Sequence, residues 1–352
     1  MQESKRFSAR TVEKSTTARA EVTTKQTSIN KTAPNRSLAC RILLRAVLGL
    51  STLYFCILAG AVGGLSLATA VYSSGTPAQA AHQPKTSPQT EKKPPKASQA
   101  ASSGYILADD QLSNLRLADV TKPVYDRHTV TERTQEHLPV ETPTVPPFTG
   151  KKVAYLTFDD GPDRVNTPKI LDILEAQGVP ATFYVLGYRA EQNPEVLKRI
   201  FREGHAIGNH SYDHEYDNLY SSPDNFLRQI LRTDETIHNI LGVRPLIVRA
   251  PGGTFGNFTQ EYWATMKSHG YTVHDWNVCT NDATKENPNA TQQIKYVDRQ
   301  TNEILKDNAA NILMHCIESK EETVKALPEI ISLLKEKGYV FGVITPMTPQ
   351  PY

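Results

Sequence analysis

The sequence contains few cysteines and almost no net charge, and each shortage excludes a class of protein. Four cysteines in 352 residues are too few for a scaffold built on disulfides. The 39 lysines and arginines nearly balance the 37 acidic residues, so the net charge of +2 gives no indication of a nucleic-acid partner. The chain is long enough for one sizeable globular domain with appended segments.

The N-terminal region lacks large apolar side chains in one stretch and charge in the next. Residues 1–37 contain hardly any large apolar side chains, so we expect residues 1–45 to form a basic, disordered tail. Residues 46–72 contain no Asp, Glu, Lys or Arg, and a transmembrane helix needs about 20 residues of this kind. A buried core helix is the alternative, but no amphipathic neighbour is available to cover it.

The charges around the apolar run predict its orientation. Basic residues lie on its N-terminal side up to Arg41 and Arg45, which predicts a single-pass protein of the cell membrane with a cytoplasmic N-terminus and an extracellular C-terminal region. A signal peptide cleaved near Ala78-Gln79-Ala80 is the alternative, but the apolar run is much longer than the core of a usual signal peptide. Residues 73–104, rich in Pro, Ser, Ala and Lys, predict a flexible linker, and residues 105–150 form a lead-in segment without an assigned role.

From Lys151 onward, short β-rich segments alternate with amphipathic helical segments, which is the pattern of βαβ units around a parallel sheet. Apolar residues at helical spacing precede Gly178 and Gly338, as expected where helices end. Seven segments qualify as strands: 153–158, 181–187, 205–209, 246–250, 271–278, 311–315 and 339–345. Residues 151–346 are therefore predicted to form an α/β domain built as an incomplete barrel of seven strands.

Polar residues that could carry chemistry follow these strands, and the functional groups of a parallel barrel collect at the C-terminal ends of its strands. They are Asp159 and Asp160 after the first strand, His210 and His214 after the third, Arg249 at the end of the fourth and His315 at the end of the sixth. Adjacent carboxylates in extended chain point to different partners, so one can bind a metal while the other faces a substrate. Two imidazoles four residues apart and one carboxylate would form a metal site with an open position.

Such a metal site predicts hydrolysis of an amide or an ester. A bound Zn²⁺ lowers the pKa of water to about 7 and polarises a carbonyl group. Taken singly, each signal has an ordinary explanation, since Asp-Asp before Gly-Pro is a common turn and a histidine pair is more often a surface or capping feature. Their joint occurrence at strand ends favours the metal site.

Four motifs resemble those of the NodB-type polysaccharide deacetylases, carbohydrate esterase family 4, over roughly residues 150–346. They are TFDDGP at 157–162, HSYDH at 210–214, RAPGG at 249–253 and LMH at 313–315. The resemblance implies a distorted (β/α)7 barrel and removal of an N-acetyl or O-acetyl group from a polysaccharide. It also implies a divalent metal, with Zn²⁺ favoured and Co²⁺ or another divalent ion as alternatives.

The resemblance also implies roles for single residues. The metal ligands would be Asp160, His210 and His214. Asp159 would be the general base, Arg249 would orient it through a charge-assisted pair, and His315 would donate a proton to the leaving amine. The backbone N–H of Gly252 would stabilise the oxyanion, and Leu313 would line the pocket for the acetyl methyl group.

The tract HDWNVCTNDA at 274–283 departs from the family pattern. The resemblance implies an Asp that tunes the catalytic histidine and a Trp that lines the groove, but Cys279 and Ala283 stand at those positions. Asp275 and Asp282 are both open as the charge partner of His315.

Two cysteines of the domain raise a separate hypothesis. Cys279 and Cys316 follow strands that should be neighbours, in a compartment that is predicted to be oxidising, so they could form a disulfide beside the site. Two free thiols that fill apolar space are the equal alternative, since a bridge needs Cα atoms within about 7 Å.

The predicted function is deacetylation of a cell-wall polysaccharide, with N-acetylglucosamine of peptidoglycan favoured because the domain is predicted to lie outside a membrane. Chitin and acetylated xylan would require the same chemistry. A non-catalytic wall-binding protein on the same barrel is the alternative from another class, and the altered tract at 274–283 keeps it open. The Asp159→Asn variant would separate the two, because only an enzyme would lose turnover.

Overall fold

The computed structural model describes residues 104–117, 120–143, 152–303 and 309–348. The predicted cytoplasmic tail, the predicted transmembrane segment and all but the last residue of the predicted linker lie outside these residues. Within the described ranges, no helix is both long enough and apolar enough to cross a bilayer.

The described residues contain strands in both the lead-in segment and the domain that follows it. The strands are β1 (Ile106–Leu107), β2 (Val124–Asp126), β3 (Val153–Asp159), β4 (Thr182–Val185), β5 (Ala206–Asn209), β6 (Arg244–Pro245), β7 (Ile247–Val248), β8 (Thr272–Val273), β9 (Val278–Cys279), β10 (Ala310–His315) and β11 (Val340–Gly342). Eight of these form one parallel sheet in the order β8-β7-β5-β4-β3-β10-β9, with β11 also paired to β3. This α/β half-barrel is consistent with the predicted (β/α)7 fold.

Helices connect the strands of this sheet. They are α1 (Val130–Gln135), α2 (Asn166–Gln177), α3 (Gly187–Gln192), α4 (Pro194–Arg202), α5 (Tyr216–Leu219), α6 (Pro223–Leu241), α7 (Gln260–Ser268), α8 (Ala290–Glu303) and α9 (Glu321–Glu336). A 3-10 turn (Ser113–Leu117) lies between β1 and β2.

Strand β3 lies at the centre of the sheet, and all its residues are buried. On one side it pairs with β10 over six positions, from Ala154 opposite Ala310 to Asp159 opposite His315. On its other side, β11 pairs with the first part of β3 and β4 pairs with the last part. The register therefore places Asp159 and His315 side by side at the C-terminal end of the sheet.

The amphipathic helices that precede Gly178 and Gly338 cover this sheet. Their apolar residues belong to the same buried cluster as the core side chains of β3 and β10. Burial of each large aliphatic side chain in such a cluster stabilises the fold by about 1.5–3 kcal/mol. Gly178 has φ 63°, a left-handed conformation that glycine adopts readily, and it ends α2 where the sequence predicts.

The prediction of a single strand over 271–278 is wrong, whereas each of the other six predicted segments contains a strand of the sheet. This segment contains β8 and the first residue of β9, and these two strands lie at opposite ends of the strand order. Between them the chain leaves the sheet, because the carbonyl groups of His274 and Asp275 accept hydrogen bonds from the Arg249 guanidinium at 3.1 and 3.3 Å. The sheet consequently has eight strands where seven were expected.

The lead-in segment packs directly on the domain. Strand β1 pairs in parallel with β2, and β2 pairs in antiparallel with β6. The Tyr125 hydroxyl donates a hydrogen bond to the carbonyl of His205 at 3.2 Å and accepts one from the N–H of Ile207 at 2.9 Å. The N-terminal end of β5 is therefore tied to the lead-in segment.

Candidate active site

The turn after β3 carries two carboxylates in different backbone conformations. Asp159 is the last residue of the strand and is buried, whereas Asp160 has φ 71°, which is uncommon for a residue other than glycine. Ser211 and His214 in the turn after β5 also have positive φ, at 73° and 64°. Backbone strain of this kind is typical of functional sites, because the surrounding structure must hold it in place.

The structure brings together the three residues predicted to hold a metal. The candidate ligand atoms of Asp160, His210 and His214 lie within 4.8 Å of one another. Asp160 Oδ1 is 3.5 Å from Nε2 of His210 and 3.6 Å from Nε2 of His214. This buried oxygen has no hydrogen-bond partner among the described residues. One carboxylate oxygen and two imidazole nitrogens are ligands that Zn²⁺ accepts, so the donor set fits such an ion.

The protonation state of His210 also suits a ligand. Its Nδ1 lies 2.8 Å from the backbone carbonyl of Arg249. A carbonyl only accepts, so Nδ1 carries the hydrogen and the lone pair of Nε2 faces Asp160. Burial lowers the pKa of His210 to about 3, although the charge of Asp160 opposes this effect. The ring is therefore neutral near pH 7.

Asp159 lies between the metal ligands and a buried arginine. Its Oδ1 accepts a hydrogen bond from Arg249 Nη1 at 3.0 Å, and its Oδ2 is 3.7 Å from Nε2 of His210. Burial raises the pKa of Asp159, and the nearby charges of Arg249 and His315 only partly offset this increase. A carboxylate whose pKa is raised is a better proton acceptor, which suits a general base.

The sequence did not indicate which residues hold Arg249. Its Nη1 donates to Thr157 Oγ1 at 2.6 Å, and its Nη2 donates to Asn311 Oδ1 at 3.0 Å. Thr157 and Asn311 are polar side chains within the buried strands β3 and β10. A buried polar residue inside an apolar strand needs a partner, and this signal could have identified both.

The structure resolves the two candidates for the partner of His315 in favour of Asp282. Asp282 Oδ1 is 2.8 Å from Nδ1 of His315, and Oδ2 accepts the backbone N–H of His315 at 2.8 Å. Burial lowers the pKa of His315, but the hydrogen bond and the charge of Asp282 outweigh it and raise that pKa to about 9. The imidazole is therefore protonated near pH 7, as a general acid requires.

The other candidate, Asp275, has a different partner. Both of its carboxylate oxygens accept the backbone N–H of Thr254 at 3.1 Å, so this side chain holds the loop that follows β7. Cys279, which stands at the tuning position of the family, exchanges hydrogen bonds with Gln300. Its N–H donates to Oε1 at 3.0 Å and its carbonyl accepts from Nε2 at 2.7 Å.

The disulfide hypothesis for Cys279 and Cys316 is not met, because both thiols are free. The register between β9 and β10 explains why the two thiols do not meet. Cys279 pairs with Leu313, three residues before Cys316, and three residues of strand span about 10 Å. The Cys316 thiol instead lies beneath the turn after β3, 3.5 Å from the carbonyl of Asp159.

Gly252 lies in the loop after β7, and Leu313 lies within β10. Gly252 has φ 72°, and its backbone N–H has no hydrogen-bond partner within the described part of the chain. Leu313 lies two residues before His315 on β10 and is largely buried. An unpaired N–H and an apolar side chain of this kind could receive the oxygen and the methyl group of an acetyl substituent.

The chain is similar to known proteins over the described domain. Residues 148–274 match the family model described as polysaccharide deacetylase. The chain is 34% identical over 198 residues to the putative polysaccharide deacetylase YheN of Bacillus subtilis, which covers 55% of this chain and 68% of that protein. It is 37% identical over 206 residues to a peptidoglycan-N-acetylglucosamine deacetylase of Bacillus cereus, which covers 57% of this chain and 70% of the relative.

A solved structure shows the same fold. A Streptococcus mutans CE4 esterase matches with a TM-score of 0.52 at 32% identity, over 55% of this chain and 86% of the esterase. The chain therefore belongs to the polysaccharide deacetylase family, and the resemblance noted in the motifs is confirmed. It is a hydrolase that acts on amide bonds.

Proposed function

We propose that this chain removes N-acetyl groups from N-acetylglucosamine residues of peptidoglycan at a divalent metal held by Asp160, His210 and His214. The observation that carries the proposal is the buried Asp160 Oδ1, which lacks a hydrogen-bond partner among the described residues and lies within 3.6 Å of two imidazole nitrogens. The base and the acid flank this cluster. The named activity of the Bacillus cereus relative supports the choice of substrate.

The metal would supply Lewis-acid chemistry, since a divalent ion such as Zn²⁺ lowers the pKa of water and polarises a carbonyl oxygen. Zn²⁺ is favoured because two imidazoles and one carboxylate match its preferred ligands, and Co²⁺ or another divalent ion is the alternative.

Asp159 accepts the proton of the attacking water through Oδ2, the oxygen that faces the metal ligands. Its other oxygen is held by Arg249, whose own position is set by Thr157 and Asn311. A charge-assisted hydrogen bond of this kind fixes the carboxylate, so Oδ2 keeps its direction during the reaction. General base catalysis contributes about 10²- to 10⁴-fold to such rates.

His315 donates the second proton. The imidazolium is held by Asp282 through Nδ1, so Nε2–H is the group that can protonate the leaving amine. The water oxygen forms a bond to the acyl carbon, the C–N bond breaks, and its electron pair takes the proton from His315. The products are a glucosamine residue and acetic acid, which ionises to acetate. The proton on Asp159 then returns to solvent, and His315 takes up a proton from solvent.

The proposed substrate also depends on the proposed location of the domain. We propose that residues 46–72 anchor the chain in the cell membrane and that the domain lies outside, where it meets peptidoglycan. Protease added to intact cells should then cleave the domain and leave a membrane-bound N-terminal fragment. A domain that is protected until the cells are lysed would contradict this location.

The test of the proposed function uses the full-length chain and purified peptidoglycan. Acetate release should depend on added Zn²⁺ or Co²⁺, and mass spectra of digested muropeptides should show the lost acetyl group on glucosamine. Loss of the acetyl group from muramic acid would contradict the proposed substrate. Acetate release from chitin or acetylated xylan alone would also contradict it.

Two variants distinguish an enzyme from a wall-binding protein. Asp159→Asn should reduce acetate release by about 10²- to 10⁴-fold and leave binding to peptidoglycan unchanged. The matched control is Asp110→Asn, which alters an exposed carboxylate of the lead-in segment and should release acetate at the wild-type rate. Binding without acetate release by any form, wild type included, would instead indicate a non-catalytic protein.

A further inference from the structure

Tyr216 is a residue at the site that the family motifs do not include. It is the first residue of α5, two positions after His214, and the two rings meet edge to face with their centroids 5.2 Å apart. Its side chain is thus placed beside a predicted metal ligand. It is 45% exposed, so the ring reaches the open side of the site.

The Tyr216 hydroxyl lies against the turn that contains Gly252. A Cβ atom added to Gly252 would lie 2.6 Å from the hydroxyl oxygen and 3.1 Å from a ring carbon of Tyr216. A side chain at position 252 would therefore require the Tyr216 ring to shift. The phenol occupies the space that the missing side chain leaves, next to the N–H that has no partner in the described part of the chain.

The ring is held in this position by its neighbours. The centroids of Tyr216 and Tyr220 are 5.9 Å apart, and the Tyr220 hydroxyl donates to the carbonyl of Pro251 at 2.6 Å. This bond connects the residue that follows α5 to the turn that contains Gly252. A donor that is positioned before substrate arrives gives more stabilisation to a developing charge than one that must reorganise.

Within the described residues, the Tyr216 hydroxyl has no hydrogen-bond partner, although a phenol is a good donor at ordinary pH. We propose that Tyr216 donates a hydrogen bond to the acyl oxygen of the substrate, together with the Gly252 N–H, and that this bond strengthens as negative charge develops there. The inference rests on the proposed deacetylase function. Tyr216 would then be a catalytic residue on α5, and its hydroxyl would supply the side-chain donor that Gly252 lacks.

The test compares Tyr216→Phe with wild type on a chitopentaose substrate and on a methylphosphonamidate of glucosamine, which imitates the tetrahedral anion. Loss of one oxyanion donor costs on the order of 10²-fold in kcat, so we expect a fall of that order with little change in KM. Binding of the phosphonamidate should weaken by a similar factor. Tyr296→Phe, which removes the same hydroxyl from α8, is the matched control and should behave as wild type.

Each other result overturns the proposal. If kcat and KM of Tyr216→Phe are both unchanged, the ring only fills space. If kcat is unchanged and KM is raised, the hydroxyl contributes to binding of the sugar and not to stabilisation of the oxyanion. If wild type releases acetate and the variant equals it, only the role of Tyr216 fails. If wild type releases none, the proposed function fails, and equal binding of the phosphonamidate by both forms then overturns the role of Tyr216 as well.

Discussion

Two clusters of buried charged and polar side chains in this chain differ in how completely their carboxylate oxygens are paired. The first cluster joins the lead-in segment to the domain through Asp126, Arg133 and Arg244, all fully buried. All five N–H groups of Arg133 have acceptors within 2.5–3.1 Å. The second cluster is the proposed metal triad of Asp160, His210 and His214, in which a buried carboxylate oxygen has no hydrogen-bond partner among the described residues.

The comparison shows how burial of charge can serve either structure or chemistry. Asp126 accepts four hydrogen bonds, from Arg133, Arg244 and the backbone of His128, so its desolvation is offset within the protein. At Asp160 Oδ1 the corresponding cost is not offset, because no protein donor among the described residues bonds this oxygen. A bound cation would remove that cost. Mutations in the first cluster should therefore affect stability, and mutations in the second should affect activity.

The largest expected effect is that of Asp160→Asn. This change replaces the carboxylate ligand by an amide, so Zn²⁺ affinity should fall and acetate release should decrease by at least about 10³-fold, since Lewis-acid stabilisation is worth several kcal/mol. Titration calorimetry with Zn²⁺ and an acetate assay measure the two effects. The metal-free variant should unfold at the same urea concentration as metal-free wild type or a higher one. A variant that keeps more than a tenth of the wild-type rate would contradict the metal site.

Asp126→Asn tests the opposite side of the comparison. Removal of one partner from a buried ion pair typically costs about 3–5 kcal/mol, because the arginines keep their charge without a counterion. Urea unfolding should show this loss, while kcat of the folded protein at low temperature should stay within about 2-fold of wild type. Asp110→Asn, at an exposed carboxylate 3.3 Å from His128, is the matched control and should change stability by no more than about 0.5 kcal/mol. Equal stability of the two variants would show that the lead-in segment does not depend on this cluster.

Asp282→Asn should change the pH dependence of the reaction. With its pKa at about 9, His315 stays protonated through neutral pH, and the wild-type rate should fall only as pH rises through about 9. Without the charge of Asp282, burial would bring this pKa below its usual value near 6.5, so the rate at pH 8 should fall at least about 10-fold. Asp298→Asn on the surface of α8 is the control. If the pH at which the rate falls is the same in wild type and Asp282→Asn, His315 is excluded as the acid.

The same pair also makes stability depend on pH. The folded-state pKa of His315 is raised, so its contribution is fully present below about 6.5 and is lost as pH rises through about 9. The difference in unfolding free energy between wild type and Asp282→Asn should therefore shrink between pH 6 and pH 10. A constant difference over that range would indicate that the pair does not carry the charge assigned to it.

The proximity of Asp159, Asp160, His210 and His214 could be predicted because all four lie at or after the C-terminal ends of β3 and β5, and parallel strands end at one edge of the sheet. The identity of the partner of His315 could not. Asp282 reaches His315 through a loop in which Asn281 has φ 61°, and no periodic pattern reveals such a turn. Cys279 stands at the position where the family pattern has the tuning carboxylate, but the carboxylate that contacts His315 lies three residues further along the chain.

The sequence predicted the long strands correctly, and its prediction failed mainly at strands of two residues. The seven-residue strand β3 and the six-residue strand β10 have clear apolar patterns. Five of the described strands have two residues each: β7 lies in a predicted segment, but β1 and β6 were not predicted, and β8 and β9 were predicted as one strand. Two residues are too short for a pattern to identify on their own. The break between β8 and β9 depends on carbonyl groups that bind Arg249, and such a tertiary contact leaves no local signal.

The smallest expected effect concerns the two thiols of the domain. Burial raises the pKa of Cys279 to about 11 and that of Cys316 further, so both should react slowly with iodoacetamide in the native protein. Peptide mapping should find slow labelling at the half-buried Cys279 and none at Cys316 until the chain is unfolded. Because a disulfide would contribute about 2–4 kcal/mol, reductant should leave the melting temperature unchanged within about 1 °C if both thiols are free. A cross-linked peptide containing both cysteines would overturn the register that places Cys279 beside Leu313.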